Sequence, residues 1–101
     1  MLDAHPVNQR VVVDGNMIFA AGVTSGIDGA LRVAAELRGD EVAQTIQLYI
    51  QYAPEPPFNS GTPETAPPAV LESARRAVQA VTAQREKTAR RVAQRLGIAV
   101  D

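Results

Sequence analysis

The sequence predicts an α/β chain made of a β-hairpin, two helices, a proline-rich loop and a long final helix. Three observations carry this reading. Two short apolar runs, Arg10 to Val13 and Met17 to Ala20, flank the turn residues Asp14-Gly15-Asn16. Apolar residues then recur at helical spacing, first through Ile27, Ala30, Leu31, Ala34, Ala35 and Leu37, then through Val42, Ala43, Ile46, Tyr49 and Ile50. A third helical pattern runs from Pro68 to Leu96, after a stretch dense in proline.

Each element has a local cause. Residues 1–9 carry Pro6 and several polar residues and predict a loop. A glycine-centred turn between two apolar runs is a hairpin signal. Val11, Val12 and Val13 break the usual alternation, so the first strand is expected to be covered on both faces. Thr24 and Ser25 are the N-cap candidates for the first helix. With Ser25 as the cap, Asp28 falls at the N3 position, where a carboxylate can return the bond of a capping box and favours the helix dipole. Gly39 ends this helix and Asp40 caps the next. The second pattern is expected to run out at Ala53, ahead of Pro54.

From Pro54 to Pro68 the chain holds six prolines (54, 56, 57, 63, 67 and 68) and predicts an extended loop. A loop this long usually wraps another surface or a partner. The last pattern has Val70, Leu71, Ala74, Ala77, Val78, Val81, Ala89, Val92, Ala93 and Leu96 on one stripe. The stripe weakens from Thr82 to Thr88 around Arg85, where a kink or fraying is expected. Gly97 stops the helix, and 98–101 is a tail. No internal repeat is present.

Composition narrows the function. The chain has 101 residues, 46% apolar and 21% charged, which is globular and of single-domain size. Net charge is −1, so no global field attracts nucleic acid or an acidic membrane. The charge is unevenly spread: residues 1–67 hold three basic and eight acidic side chains, whereas 68–96 hold seven basic and two acidic. One segment could dock on the other, in the same chain or in a partner. There is no cysteine, which excludes disulfides, thiolate metal sites and a cysteine nucleophile within the chain. A single histidine, His5, excludes a multi-histidine metal site. No cofactor is expected. No apolar run reaches membrane-spanning length and no signal-peptide core is present, so a cytoplasmic location is expected.

The elements do not close a core by themselves. An isolated hairpin is marginal in water. A missing sequence partner or a second copy of the chain is expected to supply the rest of the sheet.

Two segments carry a family likeness. The first runs Arg10-Val-Val-Val-Asp-Gly-Asn-Met-Ile-Phe-Ala-Ala-Gly-Val-Thr-Ser-Gly-Ile-Asp28. The second runs Gln51-Tyr-Ala-Pro-Glu-Pro-Pro-Phe-Asn-Ser-Gly-Thr-Pro-Glu-Thr-Ala-Pro67. Together they resemble the ThiJ/PfpI family, in particular its isonitrile hydratase branch, over roughly residues 2–80. The likeness covers only the last part of a usual member. It implies the C-terminal portion of a flavodoxin-like, class I amidotransferase-like sandwich: one partial domain over 1–101, with hairpin and helices at 10–53, the loop at 54–67 and the last helix at 68–96. Ala21 departs from the glycine expected there.

The resemblance also implies chemistry. In the family a cysteine thiolate attacks the isonitrile carbon, an acid protonates it, and water delivers an N-substituted formamide. The cysteine and its acidic helper belong to a segment preceding the one matched here. This chain would contribute one wall of the pocket, inactive alone and binding a small-molecule substrate only when completed. Gly22, Val23 and Thr24 are the substrate-binding candidates, because this turn faces the nucleophile's pocket and free backbone N–H groups at a helix start meet polar ligand atoms. The plainer account has Gly22 making a turn and Thr24 or Ser25 capping. No catalytic or metal-binding residue is expected. Asp28 reads as a first-turn acid and Glu64 as solvated. His5 has no evident partner, which argues against a serine or threonine triad. The basic helix, with Arg75, Arg76, Arg85, Lys87, Arg90, Arg91 and Arg95, lacks the interleaved aromatics of single-strand binding and reads as a solvated face. Tyr49 and Tyr52 read as packing residues. Two alternatives stand beside the half-enzyme: a non-catalytic homodimerising module, and a ligand-sensing domain.

Overall fold

The computed structural model describes residues 4–99. Parts of the predicted N-terminal loop and C-terminal tail lie outside the described residues. The contacts divide the chain into two units, one spanning Pro6–Pro54 and the other holding Glu55 onward with the residues before Pro6.

In the first unit, β1 (Val11–Asp14) and β2 (Met17–Ala20) form an antiparallel hairpin. The register pairs Val11 with Ala20, Val12 with Phe19, Val13 with Ile18 and Asp14 with Met17. Gly15 turns the chain at φ 60°, a left-handed value, while Asn16 keeps a negative φ. Glycine at the first central position is what a two-residue type II′ turn needs. Paired residues share a face. Val11, Ala20, Val13 and Ile18 therefore lie on one side, and Val12, Phe19, Asp14 and Met17 on the other.

The first side receives α1 (Ser25–Arg38). Contact is close because Gly29 is buried there: a Cβ on it would lie 3.3 Å from the Cβ of Ala20. α2 (Asp40–Tyr49) packs on α1 and buries Ala43. Gly39, at φ 87°, ends one helix and begins the other. Its N–H donates to the Ala35 carbonyl at 2.8 Å, and its carbonyl accepts from Ala43 N–H at 3.3 Å. Asp40 was expected as the cap of α2. It is instead the first helical residue, where with Glu41 it favours the helix dipole.

α2 also ends earlier than expected, at Tyr49 rather than Ala53. Gln51 adopts φ 54° and reverses the chain. Gln51 N–H then donates to the Leu48 carbonyl and Tyr52 N–H to the Gln47 carbonyl, both at 3.1 Å. This is the paired bonding of a Schellman motif, built on a residue other than glycine. A side chain in that conformation carries a penalty of roughly 1 kcal/mol. Gln51→Gly is therefore expected to raise stability by about 0.5–1 kcal/mol, a gain measurable as a higher urea midpoint at unchanged slope.

In the second unit, Thr62 and Thr65 exchange side-chain and backbone bonds around a turn, their hydroxyls 2.8 Å apart. Pro67 enters α3 (Pro68–Leu96) with extended backbone, and Pro68 takes the first helical position, where its missing N–H costs nothing. The helix runs unbroken through residues 82–88, where a kink or fraying was expected. Helix-forming Ala, Gln, Arg, Glu and Lys hold that stretch without an apolar stripe. Pairs Glu72–Arg76 and Glu86–Arg90, at 3.7 and 2.9 Å, add about 0.3–0.5 kcal/mol each. Gly97, at φ 68°, closes the helix with bonds from Gly97 N–H to Gln94 and Ile98 N–H to Ala93.

The expected open core is present. Among the described residues, the apolar side chains that reach full burial are Ala43 and Ala93. Phe19 and Met17, on the hairpin side turned from α1, are half exposed, and Val13 is also exposed. Tyr49, read as a packing residue, is 89% exposed.

Candidate pocket-wall turn

The candidate site is the turn joining β2 to α1. Ala21 N–H donates to the Arg10 carbonyl at 3.0 Å, so the hairpin ladder continues to the edge of the turn. Gly22 N–H then donates to Ser25 Oγ at 2.5 Å, and Ser25 Oγ donates to the Gly22 carbonyl at 2.8 Å. Ser25 is buried, and this reciprocal pair ties the helix start back onto the turn. Backbone bonds from Gly26 N–H to Val23 and from Ile27 N–H to Thr24 complete it, at 3.3 and 3.2 Å. The space beside Gly22 is open: a Cβ there would meet nothing within 4 Å.

Thr24 occupies the N-cap position without a side-chain cap bond. Its hydroxyl is engaged elsewhere, accepting from Arg10 Nη2 at 3.1 Å. The expected capping box with Ser25 is also absent, because Thr24 and not Ser25 is the N-cap and the Ser25 hydroxyl bonds to Gly22. Asp28 Oδ2 accepts from Arg10 Nε, and Oδ1 accepts from the Tyr52 hydroxyl at 2.5 Å. One carboxylate thus joins the residue before β1, the first turn of α1 and the chain leaving α2. The Schellman turn at Gln51 delivers Tyr52 to this place, and Gln47 Nε2 holds the Tyr52 carbonyl at 3.1 Å.

The electrostatics follow from the bonding. The Tyr52 hydroxyl and the Arg10 guanidinium both stabilise the charged carboxylate, and together they hold Asp28 below the usual carboxylate range. Asp28 in turn holds the Arg10 guanidinium above its ordinary value.

Of the substrate-binding candidates, Gly22 and Thr24 are therefore fixed by hydrogen bonds, while the Val23 side chain is 98% exposed. Arg10 and Tyr52 were not singled out as polar site residues by sequence, although Arg10 and Asp28 bound the first family-like segment. A separate open groove of about 400 Å³, lined by Val13, Ile18, Val33 and Leu37 with Glu36 at its side, lies toward the other end of α1 and not at the turn. Among the described residues no group of three or more His, Cys, Asp or Glu side chains could hold a metal ion, and no helix is long and apolar enough to cross a membrane.

No family model matches the sequence. The chain is 46% identical over 97 residues to an isonitrile hydratase of Pseudomonas putida, an alignment covering 96% of this chain and 42% of that protein. The crystal structure of a ThiJ/PfpI family protein from Pseudomonas syringae superposes with a TM-score of 0.82 at 42% identity, over 85% of this chain and 36% of that one. The chain thus spans about two-fifths of the length of the relatives it matches. The hairpin, the two helices and the turn between them match a piece of a known architecture, and the chain corresponds to a partial, C-terminal stretch of ThiJ/PfpI proteins.

Proposed function

We propose that this chain supplies one wall of the substrate pocket of an isonitrile-hydratase-like protein. The turn Gly22-Val23-Thr24 faces the substrate, and another polypeptide segment brings the nucleophile. The carrying observation is Val23: a valine 98% exposed on a turn whose neighbours are fixed by hydrogen bonds. An apolar side chain presented on a rigid frame suits a pocket that orients an apolar substituent with few polar contacts. The likeness to an isonitrile hydratase supports the substrate class, an R–N≡C carbon to be hydrated to a formamide. The chain has no cysteine. The thiolate attack must come from the completing segment.

The test is a hydration assay following formamide release from a simple alkyl isonitrile. The chain alone is expected to give background rates. The chain mixed with a cysteine-bearing N-terminal segment of a ThiJ/PfpI relative is expected to turn over. Turnover by the chain alone, or none in the mixture despite a stable complex, would sink the proposal.

A second reading is favoured by the hairpin. Phe19 and Met17 are half exposed on the side turned from α1. A self-associating module would cover them with a second copy. A tight dimer by light scattering, with no affinity for a family N-terminal segment, would favour this reading over the first.

A further inference from the structure

Asp28 sits where three separated pieces of chain meet, and its carboxylate reaches Thr24 through another residue. Its two oxygens are taken by Arg10 Nε and the Tyr52 hydroxyl, and the remaining end of the Arg10 guanidinium donates to Thr24. We propose that Asp28 is a positioning residue for the Gly22–Thr24 turn, acting through Arg10 and braced by Tyr52.

The chemistry of the donors gives the role its direction. A guanidinium has only donors. Thr24 Oγ1 must therefore act as acceptor toward Arg10, which leaves its single O–H proton to point away from the guanidinium. Thr24 is thereby set as a donor for whatever lies at the turn. An isonitrile carbon lone pair and a formamide oxygen are both acceptors, so this deepens the pocket-wall reading and rests on it.

Asp28 holds Arg10 by the Nε edge, leaving the Nη2 group for Thr24. Tyr52 occupies the other carboxylate oxygen at 2.5 Å and fixes the rotation of the carboxylate. Charge strengthens each link, because hydrogen bonds to ionised groups are shorter and stronger than neutral ones. Among the described residues, the ionisable groups bonded to Asp28 are Arg10 and Tyr52, while β2, packed against the same helix, carries none.

The test is amide hydrogen exchange on the full chain, resolved by residue. Protection at Gly22, Gly26 and Ile27 reports the turn, since each of these N–H groups is bonded within it. Protection at Ile50, which donates to Ile46, reports α2. In Asp28→Asn, turn protection is expected to fall about tenfold further than protection in the hairpin and at Ile50, which carry only the loss of overall stability. Tyr52→Phe removes one hydroxyl and spares the ion pair, and is expected to give a smaller loss at the same three amides. Thr24→Val, which removes the acceptor of Arg10, is expected to reproduce the Asp28→Asn pattern. In the unsubstituted chain, turn protection is expected to fall further than Ile50 protection with acid titration of Asp28.

A uniform loss over the whole Pro6–Pro54 unit would make Asp28 a general scaffold residue and overturn the proposal. No change at the turn would overturn it equally, and Tyr52→Phe keeps this decidable if Asp28→Asn does not fold. These outcomes do not depend on isonitrile turnover, so exchange can uphold the positioning role even where the hydration assay fails.

Discussion

Gly29→Leu is expected to destabilise the Pro6–Pro54 unit by about 2–3 kcal/mol, the largest effect of any single substitution considered for this chain. Gly29 is buried where α1 meets β2, and a bare Cβ already lies 3.3 Å from Ala20 Cβ. A leucine places three further carbons into that contact. Hairpin and helix must then separate, and the continuity of the turn between them is lost. Gly29→Ala is the informative control. Alanine gains about 1 kcal/mol of helix propensity over glycine. The tight contact opposes that gain, so the net change is expected near zero. Ala20→Gly removes the opposing methyl and should turn Gly29→Ala into a net stabilisation. Urea midpoints of the two single variants and the double variant measure the coupling directly.

The second large effect concerns acid. Asp28→Ala leaves the Arg10 guanidinium and the Tyr52 hydroxyl without their shared acceptor. The expected cost is about 1–2 kcal/mol at neutral pH, kept in that range because Arg10 is half exposed and water screens it. The pH dependence has a fixed sign. The folded carboxyl titrates below its ordinary value, so the native state binds this proton more weakly than the unfolded chain does. Its contribution is complete above the unfolded value of about 3.9 and is lost as pH falls from there through the folded value. Thermal melts at pH 7 and pH 3 should therefore separate the unsubstituted chain from Asp28→Ala at the higher pH and bring them together at the lower. A constant gap across that range would show that the loss is not electrostatic.

Much of the fold was legible because its causes are local. Gly15, Gly39 and Gly97 each take the left-handed φ that a turn or helix end demands, and each marks a boundary in the sequence. The periodicity of α1 and the Pro68 start of α3 are likewise properties of neighbouring residues. The end of α2 was missed because the left-handed position falls on Gln51, a residue with no such preference. That one displacement hid the role of Tyr52. A helix continued to Ala53 would have left Tyr52 on a helical face, whereas the reversal at Gln51 carries it toward Asp28. Asp28 itself was read by the strongest local rule available, a first-turn acid three residues from a serine. The structure keeps Asp28 in the first turn of α1 and adds partners 18 and 24 residues away. Sequence periodicity holds no information about such separations. The family-like segment gave an indirect sign, since Arg10 and Asp28 are its first and last residues.

The hairpin has a further consequence, for the behaviour of the chain in solution. Both strands of a two-stranded sheet are edges, and each presents unpaired backbone donors and acceptors. Natural edges are commonly guarded by lysine, proline or a bulge. Across Val11–Asp14 and Met17–Ala20 the only charge is Asp14, no proline interrupts either strand, and the register pairs residues one to one. Such an edge is a template for any extended segment it meets, including another copy of itself. With a net charge of only −1, repulsion between copies does little to keep such edges apart.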